Sequence, residues 1–192
     1  MTAAAATLHD MALRPLPADV RIGHVHLRVS DLERATAFYR DVLGFRVVVD
    51  GVANGLPLSF LAAGAYHHHI ALNTWHSRGG TPPPPGHTGL DHAAILYPNR
   101  AALADAVARL FANDYYVDDA HDHGTSVSVY LHDPDGNSIE LYYDRPRWRW
   151  FDEHGQLIIK NERLRIAEFL SDTRHLAPQL TSTLVHSGER LQ

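Results

Sequence analysis

Apolar and polar residues alternate in several short segments of the chain, and such alternation is typical of a half-buried β-strand. In the first of these segments, residues 22–29, Val25 and Leu27 share one face while His24 and His26 share the other. The pattern therefore predicts a strand with one apolar face and one face that carries histidine.

The next segment predicts a helix. Ser30 or Asp31 can cap its start, apolar residues then recur at helical spacing from Leu32 to Leu43, and Gly44 favours its end. Further strands are predicted at residues 45–49, 56–62 and 66–74, which gives the order β-α-β-β-β.

The same order is predicted again after a proline-rich connection. Residues 79–87 include four consecutive prolines, which favour a stiff, extended linker. His92 follows His24 by 68 residues and again opens an alternating segment, and a helix is predicted after Asn99. Strands are then predicted at residues 115–117, 126–132 and 138–143. A module with one apolar sheet face cannot bury it alone, so we expect an α+β fold in which two paired βαβββ modules form a cupped mixed sheet around a cleft.

These patterns predict the boundaries of the domain. Residues 1–20 would form an N-terminal arm, residues 21–145 one domain and residues 146–192 a C-terminal extension. Within the domain, the modules would occupy about residues 21–78 and 88–145. We expect the extension, with Trp148 and Trp150 between arginines, to pack over the outside of the domain or into a partner subunit.

Composition narrows the classes of function. The net charge of −5 and the absence of a basic cluster argue against nucleic acid as a partner. No apolar run reaches 18 residues and the first 20 residues lack the pattern of a secretory signal, so we expect no membrane association and a cytoplasmic location. The chain has no cysteine, which excludes disulfides and thiolate ligands, but it has 15 histidines, the commonest metal ligand in proteins.

Glu140 is the most informative residue of the predicted strands. It follows a predicted tight turn at residues 133–137 and stands alone on the polar face of an apolar strand. Such a carboxylate either faces solvent or needs a compensating charge or metal. With His24 and His92 at equivalent positions of the two modules, it makes a donor set of two imidazoles and one carboxylate, which suits non-haem Fe(II) and would accept Mn(II).

Two segments resemble the vicinal oxygen chelate superfamily. Gly23-His24-Val25 with residues 31–45 resembles its opening module, and residues 133–141 resemble its final strand. The resemblance covers about residues 20–145. Members of the superfamily include extradiol dioxygenases, glyoxalase I, fosfomycin-resistance enzymes and metal-free binders, so the resemblance is more specific for fold and metal than for reaction.

Spacing favours the extradiol dioxygenases. In the type I enzymes the metal-binding Glu is preceded ten residues earlier by an active-site Tyr and nineteen earlier by a His, which correspond here to Tyr130 and His121. A His on the last strand of the first module corresponds to His68. The resemblance thus implies metal ligands at His24, His92 and Glu140, and catalytic residues at His68, His121 and Tyr130.

Strand alternation leaves two alternatives open. Alternation alone would put His67 and His69, rather than His68, on the cleft face, and His123 competes with His121.

The resemblance implies an Fe(II)-dependent extradiol dioxygenase that acts on a catechol-type aromatic with O₂, and we expect a homodimer or higher homo-oligomer. Glyoxalase I takes a carboxylate ligand from each half, whereas residues 66–75 contain no Asp or Glu. Fosfomycin-type transferases need cationic side chains, and the predicted cleft strands have few. The alternatives are another metal-dependent enzyme of this fold (a glyoxalase-like lyase, an epimerase or a thiol transferase), a metal-free small-molecule-binding or resistance protein, or a structural interaction protein.

Overall fold

The computed structural model describes residues 15–173, which contain the two predicted modules and part of the extension. The first module contains β1 (Val25–Arg28), α1 (Leu32–Ala37) continued by a π-helical turn (Phe38–Val42), β2 (Arg46–Ala53), β3 (Leu56–Ala62) and β4 (Ile70–Asn73). The second contains β5 (Ala93–Leu96), α2 (Arg100–Ala112), β6 (Asp119–Asp122), β7 (Ser126–His132) and β8 (Ser138–Asp144). The extension adds a 3₁₀ turn (Arg147–Arg149), β9 (Glu162–Arg163) and α3 (Ile166–Thr173).

Each module forms a mixed sheet of its own. The strand order is β1-β4-β3-β2 in the first sheet and β5-β8-β7-β6-β9 in the second. The first and last strands of each module pair in parallel, and the other neighbours are antiparallel. The predicted α+β class with two βαβββ modules is confirmed, with two hydrogen-bonded sheets in place of one continuous sheet.

The ends of the helices follow from local chemistry. Asp31 caps α1 by accepting a hydrogen bond from the backbone N–H of Arg34, and Asn99 caps α2 in the same way. Gly44 has φ +83°, which residues with a side chain rarely adopt, and a Cβ there would displace the Arg109 guanidinium, so glycine is favoured at this helix end.

One predicted strand was wrong and one was too long. Residues 115–117 are not a strand, because the N–H of Tyr115 bonds back to the carbonyl of Leu110 and Asp114 takes a positive φ of 56°. Pairing with β7 begins only at Asp118, and the strand of this region is β6. The strand predicted at residues 66–74 is limited to β4, so the preceding histidines lie in a turn.

The two modules share one apolar core. It contains Leu27 and Leu72 from the first sheet and Leu131 and Leu141 from the second, all of them buried. Buried polar contacts also join the modules: the Tyr39 hydroxyl donates to Oδ2 of Asp133 at 3.0 Å.

The described part of the extension packs against its own chain. β9 pairs with β6, with Arg163 opposite His121. Phe169 of α3 is buried in the common core, and the guanidinium of Arg100 lies 4.9 Å from the centre of its ring. The remainder of the predicted arm and extension, residues 1–14 and 174–192, lies outside the described residues.

None of the helices within residues 15–173 has the length and apolar composition that a membrane span requires.

Candidate metal centre

The second sheet places Glu140 at the centre of a polar face. Glu140 lies opposite Ala94 on β5 and opposite Tyr130 on β7. Its neighbours along β8, Ile139 and Leu141, point into the core and are fully buried. Strand alternation therefore turns the Glu140 carboxylate to the other face, where the residue is nevertheless only 8% exposed.

His92 and Glu140 converge on one point. Nε2 of His92 lies 2.9 Å from Oε2 of Glu140, and Nδ1 of His92 lies 2.9 Å from Oδ2 of Asp91. Adjacent ligands of an octahedral ion at about 2.1 Å from the metal are about 3.0 Å apart, so the two facing atoms have the separation of neighbouring ligands. A carboxylate on the other nitrogen is the usual device for orienting a metal-binding histidine. Asp91 was not among the site residues predicted from the sequence, although it directly precedes His92.

Tyr130 donates a hydrogen bond to the same carboxylate. Its hydroxyl lies 3.1 Å from Oε1 of Glu140 and 3.0 Å from Nε2 of His123. Burial, the negative charge of Glu140 and the hydrogen bond to it together raise the pKa of Tyr130 to about 12. Tyr130 is therefore a protonated hydrogen-bond donor at neutral pH.

His121 and His123 lie side by side near Tyr130. Their rings are stacked with centroids 5.8 Å apart, and the Tyr130 ring lies 6.2 Å from His121 and 6.3 Å from His123. His123 bonds to the Tyr130 hydroxyl, whereas Nε2 of His121 contacts Oδ2 of Asp119 at 2.9 Å. Nδ1 of His121 is buried without a hydrogen-bond partner among the described residues. Both histidines thus stand near the candidate centre, and His123 is the one in contact with Tyr130.

The first sheet brings His24 and His68 together. His24 directly precedes β1, as His92 directly precedes β5. The rings of His24 and His68 lie 4.4 Å apart, and His68 stacks on Phe60 with centroids 4.3 Å apart. Burial, followed by the neighbouring His24 and His67, lowers the pKa of His68. His68 is therefore neutral at pH 7, and one of its ring nitrogens can accept a proton.

The two neighbours of His68 take other positions. Nδ1 of His69 accepts a hydrogen bond from the N–H of Ala63 at 3.2 Å, and its ring lies 6.4 Å from that of Phe45. His67 contacts His68 through the two Nδ1 atoms, 2.8 Å apart. Because β4 begins only at residue 70, strand alternation does not govern these histidines.

His24 is not joined to the pair formed by His92 and Glu140. Within residues 15–173, no three His, Asp or Glu side chains lie close enough together to hold one metal ion. One surface depression is lined by Asp91 and Ala93 and another by Arg145 and Trp148, and neither of the two is lined by His92 or Glu140. The donor chemistry of the three residues fits Fe(II), and two of them, His92 and Glu140, face each other at ion-pair distance.

The two sheets differ at the position of the carboxylate. In the first sheet, Ala71 lies opposite His26 and Phe60, just as Glu140 lies opposite Ala94 and Tyr130 in the second. The first module therefore supplies a histidine at the strand start but no carboxylate at the matching position.

Comparison with known proteins identifies the family. Residues 21–141 match the family model of the glyoxalase/bleomycin resistance protein/dioxygenase superfamily. The chain belongs to this superfamily.

Relatives within the superfamily include both dioxygenases and lyases. A catechol-2,3-dioxygenase of Bacillus subtilis (strain 168) is 50% identical over 93 residues, which are 48% of this chain and 32% of that protein. Biphenyl-2,3-diol 1,2-dioxygenase 3 of Rhodococcus globerulus is 33% identical over 124 residues, 65% of this chain and 63% of that protein. The crystal structure of lactoylglutathione lyase from Agrobacterium tumefaciens matches with a TM-score of 0.50 and 29% identity, over 66% of this chain and 96% of that one. The chain thus spans less than two thirds of the length of these two dioxygenases.

Proposed function

We propose that this superfamily member is an Fe(II)-dependent extradiol dioxygenase that opens a catechol-type ring with O₂. The observation that carries the proposal is the arrangement around Glu140, whose two oxygens contact His92 on one side and the Tyr130 hydroxyl on the other. The similarity to two dioxygenases that act on aromatic diols, by their names, supports the same activity.

In this proposal His24, His92 and Glu140 hold the iron. Bound Fe(II) would supply Lewis acidity for the catechol oxygens and open positions for substrate and O₂. Asp91 keeps Nε2 of His92 directed at Glu140, since it occupies Nδ1 of the same ring. Mn(II) would accept the same three ligands.

Tyr130 and His121 would orient the substrate. Tyr130 stays protonated because its pKa is about 12, so it can donate a hydrogen bond to a substrate oxygen next to Glu140. The buried Nδ1 of His121 lacks a partner among the described residues, and such an atom gains free energy from any hydrogen bond that a ligand offers.

His68 would be the acid–base residue. Its pKa is lowered, first by burial and then by the nearby imidazoles, so at pH 7 it is neutral and can accept a proton from a catechol hydroxyl. Stacking on Phe60 fixes the plane of its ring beside His24.

A lactoylglutathione lyase activity is the second candidate, favoured by the structural similarity to the Agrobacterium enzyme. A glyoxalase I site takes a carboxylate from each half, and the first half has Ala71 opposite Phe60 where the second has Glu140 opposite Tyr130. This difference supports the dioxygenase assignment over the lyase assignment.

The test is an assay of iron-loaded protein with a panel of catechols under air. We expect O₂ uptake and a yellow ring-opened product, and no conversion of the hemithioacetal of methylglyoxal and glutathione. Glu140→Gln should abolish both iron retention and O₂ uptake. His132→Ala, which changes an exposed histidine paired with Asp118, is the matched control and should keep both. Absence of product and of O₂ uptake across the panel would reject the dioxygenase activity.

We also propose that the chain self-associates. β2 is an edge strand of the first sheet, and it carries the exposed apolar residues Val49 and Val52. An exposed apolar edge strand favours pairing with another chain. A scattering mass equal to one chain would contradict this proposal.

A further inference from the structure

His123 lies in a line of hydrogen bonds that ends at Glu140. Its Nδ1 lies 3.1 Å from the backbone oxygen of Lys160, and its Nε2 lies 3.0 Å from the Tyr130 hydroxyl. That hydroxyl lies 3.1 Å from Oε1 of Glu140. A continuous line of hydrogen bonds therefore joins four groups: the Lys160 carbonyl, the His123 ring, the Tyr130 hydroxyl and the Glu140 carboxylate.

The two ends of this line restrict its hydrogens. The carbonyl of Lys160 can only accept, so Nδ1 of His123 carries a hydrogen and donates it. Tyr130 has one hydroxyl hydrogen, and both Oε1 of Glu140 and Nε2 of His123 lie within hydrogen-bond distance of its oxygen. Whether Nε2 of His123 carries a hydrogen therefore decides whether the Tyr130 hydroxyl points to Glu140 or to His123.

The extension holds His123 in this position. The N–H of Lys160 donates to the backbone oxygen of His123 at 3.0 Å, while Nδ1 of His123 bonds to the oxygen of Lys160. Beside it, a Cβ on Gly124 would lie 2.8 Å from a methyl carbon of Ile158, so the two segments are in close contact. A residue held by two reciprocal bonds has little freedom to turn its ring.

We propose that His123 is a positioning residue that fixes the direction of the Tyr130 hydroxyl, and that the C-terminal extension anchors it through Lys160. The inference rests on the proposed function for its effect on turnover. The hydrogen-bond line itself can be measured without turnover. The extension lies outside the family match, which covers residues 21–141. The proposal therefore gives a segment outside the family match a role in shaping the centre.

The kinetic test is a double-mutant cycle between His123 and Tyr130. Loss of a residue that orients a metal-site group costs about 10- to 100-fold in activity, and we expect His123→Ala to lower kcat by about 10-fold with iron content unchanged. In a Tyr130→Phe background the same change should cost less than about 2-fold, because the hydroxyl that it orients is gone. Equal losses in both backgrounds would overturn the inference.

Two variants distinguish loss of this hydrogen bond from a general structural disturbance caused by the substitution. His123→Gln keeps a polar atom near the place of Nε2, so it should recover part of the lost kcat. His154→Ala changes an exposed histidine of the extension whose ring lies 3.6 Å from Glu153, and it should leave kcat unchanged.

Imidazole ¹⁵N NMR of iron-free protein tests the line without any turnover. We expect a hydrogen on Nδ1 of His123, and a shift of its Nε2 resonance in Tyr130→Phe that is absent at His154. An unprotonated Nδ1, or an Nε2 resonance unaffected by Tyr130→Phe, would overturn the inference. A wild-type protein that opens no catechol ring would reject the proposed function, and the NMR result would still decide the role of His123.

Discussion

Oδ2 of Asp91 lies 2.9 Å from Nδ1 of His92, while Nε2 of the same ring faces Glu140. The Asp91 carboxylate thus orients the imidazole of His92, and the Glu140 carboxylate faces the ring nitrogen that would bind the metal. The pair is formed by consecutive residues at the start of β5, so the orientation of His92 depends on a local contact.

Replacement of Asp91 tests this orientation. Asp91→Ala should weaken Fe(II) binding by no more than about 10-fold, because His92 loses the partner that directs its Nε2 but the Asp91 side chain is 97% exposed. The measurement is a competition titration against a chelator of known affinity. Asp118→Ala removes another aspartate paired with a histidine, His132, and should leave the affinity unchanged. Equal affinities in wild type and Asp91→Ala would show that Asp91 does not contribute to iron binding.

Asp133 organises the turn that sets the register of Glu140. Its Oδ1 accepts from the N–H groups of Asp135 and Asn137, and its Oδ2 accepts from Tyr39 and from the side-chain amide of Asn137. Each of the four bonds contributes about 1 kcal/mol, so Asp133→Ala should lower the free energy of unfolding by about 4 kcal/mol. Urea denaturation measures this loss.

The matched control for Asp133 is another turn aspartate. Asp152 accepts from the N–H groups of His154 and Gln156 in an exposed turn. Asp152→Ala should cost less than about 1 kcal/mol and leave iron binding unchanged. A stability loss as small as this in Asp133→Ala would show that the buried turn does not depend on its carboxylate.

Tyr39 should make stability depend on pH in the alkaline range. Burial and the negative charge of Asp133 raise the pKa of Tyr39 well above its ordinary value, so the folded state binds this proton more tightly than the unfolded state. The stabilisation is complete below about pH 10, the pKa of an unfolded tyrosine, and is lost as the pH rises through the folded pKa. The difference in unfolding free energy between wild type and Tyr39→Phe should therefore stay constant from pH 8 to about 9 and shrink as the pH rises above about 10. A difference that stays constant above about pH 10 would contradict the assignment.

The resemblance assigned Tyr130 and Glu140 to the site, and the hairpin of β7 and β8 explains why these two residues lie side by side. Asp133 and the residues after it form a turn between β7 and β8, so positions ten apart around it, Tyr130 and Glu140, must face each other. The alternation of β7 also predicted its bounds, Ser126–His132, correctly.

Other features have no local pattern to reveal them. β6, with the sequence Asp-Ala-His-Asp, lacks the β-branched and aromatic residues that favour strands and is formed through its pairing with β7 and β9. The distinction between His68 and His69 depends on a turn before β4, and the contact of His123 with Lys160 joins residues 37 positions apart. Tertiary packing decides all of these.

The central claim is that His24, His92 and Glu140 bind one iron ion, although His24 contacts His68 and stands apart from the other two in this structure. A crystal structure of iron-loaded protein, with anomalous data collected at the iron edge, tests it most directly. We expect one iron peak at about 2.1 Å from Nε2 of His92, from an oxygen of Glu140 and from a ring nitrogen of His24. An iron peak at the His67 and His68 pair, or one that lacks Glu140 as a ligand, would contradict it.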